Sequence, residues 1–194
     1  MENTMKSLGA TTFLLPAPVL LVGTYGRQGK ANIMTAAWGG ICASKPPAVA
    51  VSIQKTRWTY ASLLERKAFT VSIPSTAQAA QADFAGIRSG ADIDKFASLQ
   101  WSPVKGDFVD APYVGECPVV LELALLQSVE IGSHVQFIGE VKDVKVRADC
   151  LDAEGRPDVA AIDPLLFAPV VRQYWGLGKL AGKAFSLGRD IAGK

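Results

Sequence analysis

The chain has 194 residues, 49% of them hydrophobic, with 20 lysines and arginines against 18 acidic residues and a net charge of +2. That length and apolar content suit one globular domain with a sizeable core and exclude a disordered chain. The near-balanced charge argues against an obligate nucleic-acid partner. Three widely spaced cysteines, Cys42, Cys117 and Cys150, argue against a thiolate zinc or iron–sulfur site.

The amino-terminal Met1-Glu2-Asn3-Thr4-Met5-Lys6 lacks the basic and apolar blocks of a secretion signal. Residues 13–22 form an apolar run, but Pro16 and Pro18 interrupt it, and it falls short of the roughly 20 residues that span a bilayer. A cytoplasmic protein with reduced thiols and no membrane partner is expected. Residues 19–25 predict a strand, Gly26-Arg27-Gln28-Gly29-Lys30 a turn, and residues 31–38 the returning strand of a hairpin. Lys45-Pro46-Pro47 interrupts the chain. Residues 48–53 are apolar on both faces and predict a central strand. Residues 59–67 predict a helix with Thr59 as its cap, or Ser62-Leu63-Leu64-Glu65 as a capping box, and with Ala61, Leu64 and Ala68 on one face.

Residues 69–73 predict the next strand, ended by Pro74, and residues 78–87 an alanine-rich helix. Glycine, proline and aspartate make residues 88–114 mostly loop. Two long strands, over residues 119–131 and 134–147, turn at Gly132-Ser133. In the second, Val135, Phe137 and Val141 share one parity while Val144 and Val146 share the other, which predicts a β-bulge near Lys142 and Asp143. Residues 152–157 predict an exposed turn, residues 170–174 a last short strand, and residues 176–194 a tail outside the core. The whole, residues 1–194, reads as one mainly β barrel with helical inserts. Alternating strands and helices between residues 48 and 87 also suit a parallel α/β fold, but the long hairpin argues against it.

Ser52, Arg57 and Thr59 supply two hydroxyls and a guanidinium within eight positions, beside a helix start. That combination suits a phosphate. The small-residue strand Asn32-Ile33-Met34-Thr35-Ala36-Ala37-Trp38 lets backbone N–H groups approach a flat polar ring, with Thr35 adding a hydroxyl and Trp38 and Tyr60 offering stacking surface. A ring at one end and a phosphate at the other point to flavin mononucleotide (FMN). Each feature also has a plain structural reading: a strand end at Ser52, an ordinary cap at Thr59, a solvated Arg57, core residues at Met34 and Trp38. His134, the sole histidine, begins a strand and is either structural or a candidate to position a nicotinamide or donate a proton. Ser89, Gly90 and Lys95 lie in the long loop, with Lys95 either in reach of a phosphate or ring oxygen or solvated beside Asp94. Gly176-Leu177-Gly178-Lys179-Leu180-Ala181-Gly182 lacks the βαβ surroundings and glycine spacing of a dinucleotide loop. One histidine supports neither a Ser-His-Asp triad nor a histidine metal pair.

The ordered set Asn32-Ile33-Met34-Thr35-Ala36-Ala37-Trp38, Pro46-Pro47, Val51-Ser52-Ile53, Arg57-Trp58-Thr59, Phe69-Thr70-Val71-Ser72-Ile73, Asp94-Lys95-Phe96 and residues 134–141 resembles the flavin reductase-like, FMN-binding split-barrel family, and within it the flavoredoxin-like branch, over about residues 10–175. The resemblance implies a six-stranded antiparallel split barrel of Greek-key type, usually a homodimer with FMN near the subunit interface. It implies that Asn32, Met34, Thr35, Ala36 and Ala37 border the ring, that Ser52, Arg57 and Thr59 hold the phosphate with Lys95 assisting, that Ile53, Ser89 and Gly90 belong to the same cofactor site, and that His134 lies near the ring's reactive face. The implied activity is an NADH- or NADPH-dependent flavin reductase. The alternative is an electron carrier with tightly held FMN and a redox protein partner. A small-barrel nucleic-acid or ligand module is disfavoured because the basic residues are dispersed. Trp58 and Gly39-Gly40 depart from the family pattern.

Overall fold

The computed structural model describes residues 4–189 and residue 191. The chain runs β1 (Ala17–Pro18), β2 (Leu20–Tyr25), β3 (Ala31–Ala36), β4 (Gly39–Ser44), β5 (Pro47–Gln54), α1 (Trp58–Arg66), β6 (Ala68–Ile73), α2 (Ala79–Ile87), α3 (Lys95–Leu99), β7 (Pro103–Lys105), β8 (Pro112–Val114), β9 (Val119–Ile131), β10 (His134–Val146), α4 (Val159–Ile162), β11 (Leu166–Ala168) and β12 (Gln173–Trp175). Seven strands form one sheet in the order β3-β2-β6-β9-β10-β5-β4, with every pairing antiparallel. Its non-sequential neighbours give the Greek-key character. β3 and β4, the two ends of this sheet, are joined directly through Ala37 and Trp38, so the sheet curls until its ends approach, and the β4–β5 ladder runs on past Gly39 as the Ser52 amide donates to the Trp38 carbonyl at 2.7 Å.

Alternation along the strands builds two apolar layers. Inside the curl, Val22, Met34, Val51, Phe69, Leu123 and Phe137 pack together, with Leu63 of α1 closing one end. On the other face, Leu21 and Ile33 pack against Ala82 and Ala85 of α2 and Phe96 of α3. The β2–β3 hairpin is thus covered on both faces. Each large apolar side chain so buried contributes roughly 1.5–3 kcal/mol.

The β9–β10 hairpin has two register shifts, one between Val141 and Asp143 as the parity change predicts, and one between Ile138 and Gly139 that parity does not signal. The strand predicted over residues 31–38 ends at Ala36; Ala37 and Trp38 turn a corner into β4, a seventh strand beside the expected six. β5, predicted central, is next to last, with β4 covering its outer edge. Within residues 88–114 lie α3, capped by Asp94 accepting from the Ala97 amide at 3.1 Å, and the β7–β8 pair. The last strand is Gln173–Trp175, paired with β11 across a turn at residues 169–172 where that strand had been expected to begin. α1 begins at Trp58, one residue before the predicted range, and its N-cap is Arg57 rather than Thr59, with no side-chain cap. Its buried residues are Thr59, Ser62 and Leu63, while Ala61 is exposed, so the helix faces the barrel with a different side. The described part of the tail is largely exposed. The readings on residues 1–3, 190 and 192–194 lie outside the described residues. Among the described residues no helix is long and apolar enough to cross a membrane.

Glu122 on β9 has no exposed surface. Its carboxylate accepts from the backbone N–H groups of Asp107 (3.2 Å), Phe108 (2.7 Å) and Val109 (3.2 Å), and from Lys145 Nζ on β10 at 2.7 Å. Burial pushes this carboxyl up, but the Lys145 ammonium and the amides of Phe108 and Asp107 more than offset it and hold it below the ordinary carboxylate range. The loop between β7 and β8 is pinned to the sheet in this way. Glu122→Gln should lower the unfolding free energy by about 2–4 kcal/mol in urea titrations. Because the folded value is depressed, the carboxylate's stabilisation is present above its unfolded pKa and is lost as pH falls through the folded value. The native protein should therefore lose stability below about pH 4, and the variant should show a shallower acid slope.

Candidate functional site

Where β3 and β5 meet the start of α1, two adjoining hollows of about 220 and about 140 Å³ open to the surface. They share Met34 and Arg57. The first is lined by Met34, Thr35, Ala36, Ala37, Trp38, Ser52, Ile53, Gln54, Arg57 and His134. The second is lined by Asn32, Met34, Thr56, Arg57, Trp58, Thr59, Gly86, Arg88, Ser89, Gly90 and Lys95. All thirteen residues that the resemblance assigns to the cofactor or its reactive face therefore stand around one cleft, with Trp38 beside them.

The first hollow is built by backbone. β3 ends at Ala36, and the corner at Ala37 and Trp38 leaves the strand's edge facing the opening. The β5–β10 register pairs His134 with Gln54 and Gln136 with Ser52, which brings His134 to the same end as Ser52. His134 is half-buried, with Nδ1 2.9 Å from the Ser133 hydroxyl. Met34 and Ile53 form an apolar floor and Trp38 a half-exposed wall.

The second hollow is built by charge. Lys95 is only 3% exposed, and its ammonium donates to the carbonyls of Ile33 (2.8 Å) and Ala85 (2.6 Å). An ammonium carries a third N–H. Burial, and then the nearby Arg57 charge, pull Lys95 down to about 8. Arg57 opens α1 in extended conformation with no side-chain cap; the Tyr60 amide donates to the Arg57 carbonyl at 3.0 Å, which leaves the amides of Trp58 and Thr59 to whatever sits at the helix mouth. Arg88 lies over the Phe84 ring, 5.9 Å from its centroid, and adds a third cation. Asn32 Nδ2 donates to Thr59 Oγ1 at 3.3 Å. A Cβ at residue 90 would collide with the Asn32 carboxamide, so only glycine lets the 88–91 loop close against β3. Among the described residues no carboxylate lines either hollow.

The structure separates some residues that the sequence grouped. Ser52 lies in the first hollow with His134 and Thr59 lies in the second, and of the three residues grouped for a phosphate Arg57 alone reaches both. Thr59 is the second residue of α1, not its cap. Tyr60 turns into the barrel and meets Phe137 edge-on, 5.9 Å between centroids, so it offers no stacking surface to the cleft. The Thr35 hydroxyl donates to the Ala82 carbonyl, which leaves its backbone rather than its proton for a ligand. Lys95 is buried, not solvated beside Asp94; Asp94 instead lies 3.6 Å from Lys30. Gln54, Thr56, Trp58, Gly86 and Arg88 also line the cleft and were not singled out. Gln54 was legible from the two-residue period it shares with Ser52, and Arg88 from its place directly before Ser89 and Gly90. Gly86 carries no such signal. Among the described residues no cluster of three metal-ligating side chains is present.

The donor set suits an anion at the Arg57–Arg88–Lys95 end and a flat, partly polar ring along β3. A family model described as flavin reductase like domain matches residues 12–176. The fold is similar to that of the flavoredoxin of Desulfovibrio vulgaris (Miyazaki F), with TM-score 0.92 and 54% identity over 96% of this chain and 100% of that one. It is also similar to a flavoredoxin from Methanosarcina acetivorans, with TM-score 0.90 and 29% identity over 97% and 99%. The FMN reductase (NADH) RutF of Pseudomonas syringae pv. syringae is 27% identical over 146 residues, 73% of this chain and 78% of that protein. A match over residues 12–176, together with this mainly β antiparallel split barrel, makes the chain a member of the flavin reductase like family.

Proposed function

We propose that this protein is an FMN-binding flavoprotein oxidoreductase whose flavin is reduced by NADH or NADPH. The observation that carries the reading is the junction of the two hollows, where Arg57, Arg88 and Lys95 converge with no opposing carboxylate beside a strand edge floored by Met34 and Ile53. Arg57, Arg88, the third N–H of Lys95 and the first-turn amides of α1 would hold the phosphate. Asn32, Thr59, Ser89 and Gly90 shape that end. Met34, Thr35, Ala36 and Ala37 would border the ring, and Ser52 and Ile53 its far side. His134, at the open end, would orient the nicotinamide. When bound, the flavin supplies reversible redox chemistry, accepting a hydride from a nicotinamide or exchanging electrons with a protein.

The 54% identity to a flavoredoxin favours a second reading, an electron carrier that holds FMN tightly and serves a redox protein partner. FMN supplied in excess to the purified protein should be retained through gel filtration and give a flavin spectrum. NADH or NADPH should then be consumed, with loss of the nicotinamide absorbance. Retained flavin with no turnover on either nucleotide decides for the carrier; no uptake of FMN removes both readings.

The Lys95 ammonium, held near 8 without ligand, should move upward when a phosphate dianion arrives beside it. Below about pH 8 the ammonium is already charged and binding needs no proton. Above it, binding should take up a proton, and FMN affinity should fall by up to about tenfold per pH unit. Calorimetry in buffers of different ionisation heat reads this directly, and Lys95→Met should abolish the proton uptake.

The protein is also proposed to be a homodimer. β4 is an edge strand whose Ile41 is 87% exposed. Beside it an apolar hollow of about 220 Å³, lined by Leu14, Ala17, Pro18, Trp38 and Pro169, adjoins the ring end of the cleft through Ala37 and Trp38. Unpaired strand edges and apolar patches of this kind are covered in stable proteins. Sedimentation should give twice the chain mass. Ile41→Glu should shift the protein toward monomer and weaken FMN retention with it.

A further inference from the structure

We propose that residues 176–194 are an amphipathic segment that folds as a helix on an anionic lipid surface and holds the protein there. Taken at the roughly 100° per residue of an α-helix, this stretch sorts into two sides. Leu177, Leu180, Leu187 and Ile191 fall on one side, with Ala181 and Ala184 between them and Phe185 at the edge. Lys179, Lys183, Arg189, Asp190 and Lys194 fall on the other. The whole chain is nearly balanced in charge, yet here four cations face one carboxylate. No proline interrupts the stretch. An apolar side opposite a basic one is the pattern of a helix that lies in the headgroup plane of a bilayer. Such a helix needs no run long enough to cross the bilayer, so the interrupted apolar run of residues 13–22 does not bear on it.

The described part of the segment lacks the cover that its composition calls for. Leu180 is 90%, Phe185 96% and Ile191 83% exposed. Scattered apolar residues on a surface are ordinary, but a row of them on one helical side marks a contact surface. Among the described residues, Lys179, Lys183 and Arg189 make no ion pair, although the chain has 18 acidic residues. The missing cover is therefore both apolar and negatively charged. A bilayer of acidic lipids offers the two in layers, acyl chains for the leucines and headgroup phosphates for the lysines. Lysine is depleted at protein–protein interfaces, which disfavours a second copy of the chain as the cover. Glycines at 176, 178, 182, 188 and 193 weaken a helix in water. The described segment accordingly forms only turns, in which the Leu187 amide donates to the Lys183 carbonyl at 3.3 Å and the Arg189 amide to the Ser186 carbonyl at 3.2 Å. A surface that buries one side supplies what intrinsic propensity lacks. Gly176 leaves the body beside Thr76 and Asp163, neither of which lines the two hollows of the cleft. The attachment is thus independent of the flavin reading.

The test is flotation of the full-length protein with vesicles of phosphatidylcholine alone and of phosphatidylcholine mixed with phosphatidylglycerol, with circular dichroism of the same samples. The protein should partition onto the acidic vesicles at least about tenfold more strongly than onto the neutral ones. It should gain helical signal there and be released by high salt. Leu180→Glu/Leu187→Glu and, separately, Lys179→Glu/Lys183→Glu should each lower that partition by about tenfold or more. Ser186→Ala, on the basic side, should leave it within about twofold, and all three variants should retain FMN as the parent does. No partition onto acidic vesicles, equal partition onto both kinds, or partition indifferent to both pairs of substitutions would overturn the proposal. A fall in sedimentation mass for Leu180→Glu/Leu187→Glu without vesicles would assign the segment to a contact between copies and overturn it too.

Discussion

A buried ammonium ties the cleft together. Lys95, the first residue of α3, reaches under the loop before it and donates to Ile33 on β3 and to Ala85 near the end of α2. Both acceptors are groups that the fold leaves wanting a donor. β3 is the edge of the main sheet, and an edge strand carries carbonyls with no ladder partner. Ala85 lies in the last turn of α2, whose final carbonyls have no intrahelical donor and carry the negative end of the helix dipole. One side chain thus fixes three elements that wall the second hollow. The cost is desolvation of a charge, visible in the fall of Lys95 to about 8. A ligand that brings negative charge to the third N–H offsets that cost, so the cleft is most stable when filled.

The same logic explains why the total charge says so little. The chain is nearly balanced at +2, and its basic residues are spread along the sequence. Folding sorts them. Arg57 at the mouth of α1, Arg88 just past α2 and Lys95 at the start of α3 are gathered on one side with no carboxylate among them. Elsewhere acids and bases are brought together: Lys145 bridges Glu122, Asp107 and Asp143, and Arg156 pairs with Asp152 and Glu154. Clusters of mixed charge hold loops, and the cluster of cations alone faces the opening.

Much of the fold was legible because strand periodicity survives in the sequence. The β2–β3 hairpin, the long β9–β10 hairpin and the bulge between Val141 and Asp143 follow from alternation and its break. The helices were harder. α1 is short, and its sequence offers several apolar phases; which one faces inward is decided by Leu63 filling the barrel end, and that in turn buries Thr59 and carries Tyr60 onto Phe137. α3 is only five residues long, too short to show a helical period, and Asp94 as a cap was its one signal. The membership of the cleft was legible as an ordered set of residues. Its internal division was not, because the separation of Ser52 from Thr59 depends on the angle between β5 and α1, which no local pattern encodes.

Three kinds of wall succeed one another along the cleft, and they answer to different physics. The end near Ala37 is made of strand edge and the corner at Ala37 and Trp38, so what it offers is mostly backbone, set by the corner that joins β3 to β4. The phosphate end depends on charges whose positions are locked by burial and by the start of α1. Behind it, the walls are a hairpin tip and an exposed helix side, where side chains can change without disturbing either core layer. The lining past Trp58 can therefore change while both core layers and the charged end of the cleft stay as they are.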